Sequence, residues 1–197
     1  RATGVPEWGF GRKGIATGLI SYSLRFHPSS MANFLGSRID LIMAPLFLTP
    51  ADVGLYAVAL APAALAGAPG SAIAIRGMAG SPMPHRRVLL PAYLLSVAGA
   101  LLVLPWVLPW LFGAEFAPAV VPAQILILSV LVAMVTTSVA ASMAARRQLG
   151  LSATLQGGIL GLTVVGVAVT WWCGGGILGL ALAVLVARSL GAGVSLV

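Results

Sequence analysis

Three charged side chains lie inside an otherwise apolar stretch that runs from Lys13 to Asp52. They are Arg25, Arg38 and Asp40. A charge at the middle of a membrane helix costs on the order of 3 kcal/mol on insertion scales, so such residues face a protein interior or a watery cavity rather than lipid. Their chemistry is then ion pairing and the binding of charged groups, and we expect this stretch to be the functional element of the chain.

A single helix through this stretch would gather most of its polar residues on one face. At about 100° per residue, these residues fall within about a third of the circumference: Arg25, Ser29, Asn33, Gly36, Ser37 and Asp40. Arg38 and His27 fall on the opposite side. Arg25 and Asp40 would be about 22 Å apart along the axis, too far to pair directly. They are therefore predicted to mark two depths of one polar stripe, with a kink at Pro28 between them.

The composition predicts the class of protein that must position this stripe. Of the 197 residues, 59% are hydrophobic and 8% are charged, against about 25% charged in soluble proteins. Apolar runs of membrane-spanning length recur along the chain. We therefore expect an all-α integral membrane protein, in which a lead-in at 1–12 precedes one bundle of about six transmembrane helices at 13–197. The predicted spans are 13–48, 53–75, 88–112, 117–144, 149–172 and 177–197.

The charges alternate between the two ends of these spans. One end carries the basic residues Arg12, Lys13, Arg76, Arg86, Arg87, Arg146 and Arg147. The other end carries Asp52, Glu115 and a glycine turn, together with two tryptophan pairs that suit a membrane interface. By the positive-inside rule both ends of the chain are expected in the cytoplasm, so the net charge of +7 needs no nucleic acid partner. Arg188, in the last span, is expected to extend toward the cytoplasmic headgroups.

Other features narrow the function or predict packing. A single cysteine, Cys173, excludes an internal disulfide, and with two distant histidines nothing suggests a metal or a cofactor. Gly157 with Gly161 forms a GxxxG pattern that predicts close helix contact. The chain begins at Arg1 without a signal region, so we expect it to be part of a longer protein or a half that dimerises.

The order of these elements resembles a known family. The segment SRIDLIMAPLFLTPADVGLYAVAL at 37–60 and the segment LPWLFGAEFAPAV at 108–120 are similar to the second half of polysaccharide-export, lipid-linked oligosaccharide flippases. These belong to the multidrug/oligosaccharidyl-lipid/polysaccharide (MOP) superfamily. The matching positions are an Arg/Asp pair, a Gly-x-Tyr that opens the second helix, and a Leu-Phe-Gly turn. The Arg/Asp pair is Arg38 and Asp40, and the Gly-x-Tyr motif begins at Gly54 and ends at Tyr56.

The resemblance implies a six-helix half of an alternating-access transporter in the bacterial cytoplasmic (inner) membrane. Its cargo would be a polyisoprenyl pyrophosphate sugar, held by its anionic head while the lipid tail stays among the membrane lipids. Arg25 would contact the head, and Ser29, Asn33 and Ser37 would line the cavity. Asp40 and Arg38 would form a gate or an ion pair. The open alternatives are a lipid anchor for Arg25, a permanent structural ion pair for Asp40 or Arg38, and contact of Arg38 with the partner half.

Other functions remain to be weighed against this one. A drug or cation antiporter of the same superfamily shares the architecture, although it usually needs several membrane-embedded carboxylates and Asp40 is the only one here. A non-transporting scaffold of a polysaccharide assembly complex would not explain a polar stripe and should tolerate its mutation. An enzyme is not expected, because the outer loops are too short to supply acid and base groups.

Overall fold

The computed structural model describes residues 12–78, 86–145 and 148–196, and within these ranges the chain is helical without any strand. Its seven α-helices are α1 (Arg12–Gly36), α2 (Ile39–Met43), α3 (Pro50–Met78), α4 (Arg86–Phe112), α5 (Val120–Ala145), α6 (Leu149–Trp172) and α7 (Gly176–Leu196). A short 3-10 helix, Ala44–Leu46, lies between α2 and α3, and another, Ala114–Ala119, lies between α4 and α5.

Five helical segments of the described ranges are long and apolar enough to cross a membrane. They are Pro50–Ala72, Tyr93–Phe112, Ala114–Ala140, Gly150–Trp172 and Gly176–Ser195. Large apolar side chains cover the outside of these helices, including Leu65, which is 76% exposed. A surface of this kind suits lipid rather than water. The prediction of an all-α membrane bundle is confirmed, although α1, which contains Arg25 and His27, is not among the five segments.

The bundle is built around α5 and α7. Helix α3 packs on α5, α5 on α7, α7 on α6, and α6 on α1, while α4 lies beside α3 and α5. Tyr56, Leu126, Ile127, Leu180 and Val184 are almost completely buried at the centre. Because lipid tails are as apolar as these side chains, close packing and interhelical hydrogen bonds hold such helices together.

The first predicted span is broken at Ser37 and Arg38, a break that was not predicted, and the kink at Pro28 stays a prediction. Helix α1 continues through Pro28 to Gly36, and Arg38 then adopts a non-helical backbone with φ −134° and ψ −6° before α2 begins. The Ser37 hydroxyl donates to the Phe34 carbonyl at 2.7 Å, which stabilises the turn. One helical wheel therefore cannot be drawn from Arg25 to Asp40, and the predicted continuous stripe ends at this turn.

A capped turn begins α3. The Thr49 hydroxyl accepts from the Asp52 backbone N–H at 3.2 Å and donates to the Asp52 carboxylate at 2.7 Å. This is the arrangement expected at a helix N-terminus, where a carboxylate is also favoured by the helix dipole. Just before this turn, the Phe47 ring stacks on Trp171 with centroids 6.3 Å apart. The turn before α3 and the end of α6 therefore lie together, as the alternation of spans predicts.

Glycines allow α6 and α7 to approach closely, but they are not the pair that the sequence pattern indicated. A Cβ added to Gly166 would lie 3.2 Å from the Ala183 Cβ, and one added to Gly191 would lie 2.5 Å from the Ile159 Cγ1. Gly157 and Gly161 are exposed, and an added Cβ would meet nothing within 4 Å in the described part of the chain. The close contact thus lies on another face of α6, which the spacing of the GxxxG pattern did not identify.

The charge alternation makes a topology prediction that does not depend on any family. A reporter that is active only outside the cytoplasm should be active when fused after Glu115 and silent when fused after Arg147. The reason is that basic segments are retained in the cytoplasm. Reporter activity and fusion-protein amounts would be measured together, and the reverse pattern at either site would contradict the assigned orientation.

Candidate functional site

Asp40 is buried where α2 meets α3. Its side chain is 3% exposed, and its Oδ2 accepts a hydrogen bond of 2.5 Å from the Tyr56 hydroxyl in the first turns of α3. Its other oxygen, Oδ1, is buried and has no hydrogen-bond partner among the described residues. Buried polar atoms are nearly always paired, because an unpaired one costs about 1–3 kcal/mol. This oxygen is therefore a candidate position for a contact with a bound group.

Arg188 enters the same region from α7. Its Nη1 donates to the Ser129 hydroxyl of α5 at 2.9 Å, and that hydroxyl in turn donates to the Leu126 carbonyl at 2.7 Å. Ser129 is fully buried, so the guanidinium points into the bundle. The prediction that Arg188 extends to the headgroups is wrong. The physical reason is that the buried Ser129 hydroxyl of α5 accepts a hydrogen bond from the guanidinium and holds it inside the bundle.

A cavity of about 120 Å³ joins these groups. Its polar and charged lining residues are Ser37, Arg38, Asp40, Ser129 and Arg188, and its apolar lining comes from α3 and α5. Arg188 and Asp40 share the cavity without a direct hydrogen bond, since Oδ2 is bonded to Tyr56 and Oδ1 is unpartnered within the described ranges. The cluster is therefore not a closed ion pair.

The cavity lies about half-way along the membrane-spanning helices. Ser129 is about 14 Å from the start of α5 at 1.5 Å per residue, and the hydrocarbon core of a bilayer is about 30 Å thick. Ser37, Arg38 and Ala64 are exposed members of the lining and mark its open side, whereas Asp40 and Ser129 form its closed side.

The charges around this cavity favour an anion. Arg38 and Arg188 oppose the single carboxylate of Asp40, which leaves an excess of positive charge when Asp40 is ionised. Charges interact several times more strongly at the low effective dielectric of such a site than in water. Because guanidiniums also match the geometry of carboxylate and phosphate oxygens, the arrangement suits binding of an oxyanion.

The structure brings some of the sequence-predicted residues together and separates others. Ser37, Arg38 and Asp40 all line the cavity, because the turn after Gly36 brings Arg38 to the side of Asp40. Ser29 is buried elsewhere, where its hydroxyl is 2.9 Å from that of Ser152 and joins α1 to α6. Asn33 is exposed and does not line the cavity. The side chain of Arg25 lies outside the described residues.

Sequence reasoning missed three members of the cluster. Tyr56 was noted only as part of a motif, Arg188 was expected only near the lipid headgroups, and Ser129 was not singled out as a site residue. The depth of Arg188 was an available signal, because it lies well inside a span from either end. Ser129 gave no comparable signal, since small polar residues are common in helix contacts.

The described residues contain no group of three or more His, Cys, Asp or Glu side chains that could hold a metal ion. Comparisons with protein-family models, curated proteins and solved structures find no match for this chain. The cavity and its charges are therefore the basis on which a function can be assigned.

Proposed function

We propose that this chain forms one half of a membrane transporter that moves a lipid-linked oligosaccharide across the cytoplasmic membrane by alternating access. The observation that carries the proposal is the cavity beside Arg38, Asp40 and Arg188, half-way along apolar helices. In this proposal the arginines hold the anionic pyrophosphate head of the cargo. The motif resemblance at 37–60 and 108–120 points to the same class of substrate.

The energetic cost of the cluster supports a functional role over a structural one. Each charge at this depth costs on the order of 3 kcal/mol on insertion scales. A structural ion pair would recover part of that cost through direct hydrogen bonds. Asp40 and Arg188 make no such bond to each other in the described chain, so the arrangement keeps charged groups available for a ligand.

The size and the open side of the cavity fit a two-half transporter. About 120 Å³ accommodates a phosphate group but not an oligosaccharide. The sugars would therefore lie beyond Ser37 and Arg38, between this bundle and a second one. Transporters of this type commonly bind substrate near the bilayer midplane, between two repeats that rock against each other.

Translocation by the full-length transporter in liposomes tests this proposal. A fluorescent polyisoprenyl pyrophosphate sugar would be incorporated in both leaflets, and a membrane-impermeant quencher would report the fraction that reaches the outer leaflet. We expect translocation at least tenfold faster than in protein-free liposomes. Asp40→Asn should slow translocation severalfold, because the basic group that pairs with Asp40 in one conformation of the transporter loses its partner. Asp52→Asn, the same change outside the cavity, should leave the rate unchanged.

One specific observation favours a second candidate, a drug or cation antiporter. Asp40 is a membrane-embedded carboxylate with one unpartnered oxygen, as cation coupling would require. The same liposomes separate the two functions when loaded with a cationic dye and given a pH gradient. Dye movement without lipid translocation would favour the antiporter. The absence of both activities would favour the scaffold.

A further inference from the structure

We propose that the cavity binds a single phosphate-like oxyanion and that Asp40 competes with this anion for Arg188. The proposal rests on the function above, because it specifies which part of the cargo enters the bundle. It goes beyond that function by giving Asp40 the role of an internal substitute for the ligand. The Asp40 carboxylate would interact electrostatically with Arg188 until an anion binds.

The donor side of this site is already positioned. An arginine carries five N–H donors, and among the described residues Arg188 uses its Nη1 on Ser129. Since the Ser129 hydroxyl is itself bonded to the Leu126 carbonyl, the guanidinium is held toward the cavity. Arg38 lies at the exposed side, where an anion would enter.

The volume of the cavity sets the size of the ligand. It is about 120 Å³, somewhat smaller than the engineered cavity of about 150 Å³ that admits benzene. A tetrahedral oxyanion such as phosphate is of this size. Because the cavity has polar groups on two sides, it also satisfies the oxygens of such an anion, which an apolar cavity would not.

Asp40 opposes this anion by its charge. The groups that face it are Tyr56 from α3, Ser129 from α5, Arg188 from α7 and Arg38 from its own turn. Tyr56 holds one carboxylate oxygen, and the other is unpartnered within the described ranges. An anion beside Arg188 would therefore meet a second negative charge within the same small cavity, at low effective dielectric. Neutralising Asp40 should relieve this repulsion.

Equilibrium binding of radiolabelled inorganic phosphate to the purified full-length protein in detergent tests the competition. Asp40→Asn should tighten the phosphate Kd by about tenfold or more, the scale expected when a like charge is removed at an effective dielectric of about 20. Arg188→Gln should weaken binding at least tenfold.

Ser129→Ala should weaken phosphate binding severalfold, whereas Ser142→Ala should not. Ser142 makes the same type of hydroxyl-to-carbonyl bond on α5 but is outside the cavity lining. Asp52→Asn is the control for Asp40→Asn.

Unchanged or weaker phosphate binding by Asp40→Asn would overturn the proposal. If Arg188→Gln fails to fold, Arg188→Lys keeps the charge and should bind phosphate severalfold more weakly, because it lacks the planar fork. Equal binding by Arg188→Lys and wild type would count against the site.

Two further measurements separate related conclusions. If polyisoprenyl phosphate in lipid nanodiscs competes with inorganic phosphate for the cavity, the anion is a lipid head. If it does not compete, the ligand is free phosphate. Either result supports an oxyanion site. If Asp40→Asn binds phosphate more tightly but the wild-type protein does not translocate the lipid, the oxyanion site is retained and the transport function is rejected. Translocation without tighter binding would reject the competition alone.

Discussion

Arg188→Gln is expected to lower the free energy of unfolding by about 1–3 kcal/mol or more, the scale of leaving a buried group uncompensated, because the Asp40 carboxylate loses a nearby positive charge. Asp40 is 3% exposed and has one unpartnered oxygen among the described residues, so it depends on the field of Arg188. Neutralising both groups, in Asp40→Asn/Arg188→Gln, removes the unmatched charge and should recover most of the loss. Reversible unfolding in detergent micelles would provide these values.

The exposed arginine of the same cavity provides a matched control for this prediction. Arg38 is exposed at the open side rather than enclosed beside Asp40, so Arg38→Gln should change the free energy of unfolding by less than about 1 kcal/mol. Equal losses in Arg188→Gln and Arg38→Gln, or no recovery in the double variant, would show that Asp40 and Arg188 are not coupled.

Gly191→Ala is expected to destabilise the contact between α6 and α7. The added Cβ would lie 2.5 Å from Cγ1 and 2.8 Å from Cδ1 of Ile159, a residue at the edge of the buried set at 9% exposure. Overpacking of this kind costs about 1–3 kcal/mol, which exceeds the gain in helix propensity of up to about 1 kcal/mol. The net result should be a lower unfolding midpoint.

The neighbouring Gly193 makes this prediction specific. An added Cβ there would meet nothing within 4 Å in the described part of the chain, so Gly193→Ala should be neutral or slightly stabilising. Ile159→Ala removes the clashing atoms, and its combination with Gly191→Ala should be less destabilising than the sum of the two single changes. Identical midpoints for Gly191→Ala and Gly193→Ala would mean that the helices do not approach as closely as described.

The sequence was sufficient for the fold class because composition and run length determine it. The predicted span at 149–172 coincides with α6, Leu149–Trp172, since Trp171 and Trp172 followed by glycines mark its end clearly. The break after Gly36 was not predicted. A glycine followed by serine is common inside membrane helices, and the turn is identified only by the non-helical backbone of Arg38 in the structure.

The candidate site was only partly accessible from the sequence. Asp40 and Arg38 stood out because charges are rare in apolar segments, and both line the cavity. Their counterparts on α3, α5 and α7 are distant in the chain, and which faces of these helices meet is decided by packing. That is why Tyr56, Ser129 and Arg188 were not predicted to belong to the site, and why Ser29, placed on the same wheel as Asp40, contacts α6 instead.

The translocation rate of the Asp40→Asn/Arg188→Gln variant shows whether the charged cluster acts on the substrate. This variant removes both buried charges, leaves the net charge of the cavity lining unchanged because Arg38 remains, and is expected to fold, so a loss of activity cannot be attributed to an unmatched buried charge. In liposomes containing the fluorescent lipid-linked sugar, we expect translocation to fall by about 100-fold or more relative to wild type at equal amounts of folded protein. Translocation at the wild-type rate would contradict the proposal, because the cluster would then be structural and the substrate would pass elsewhere.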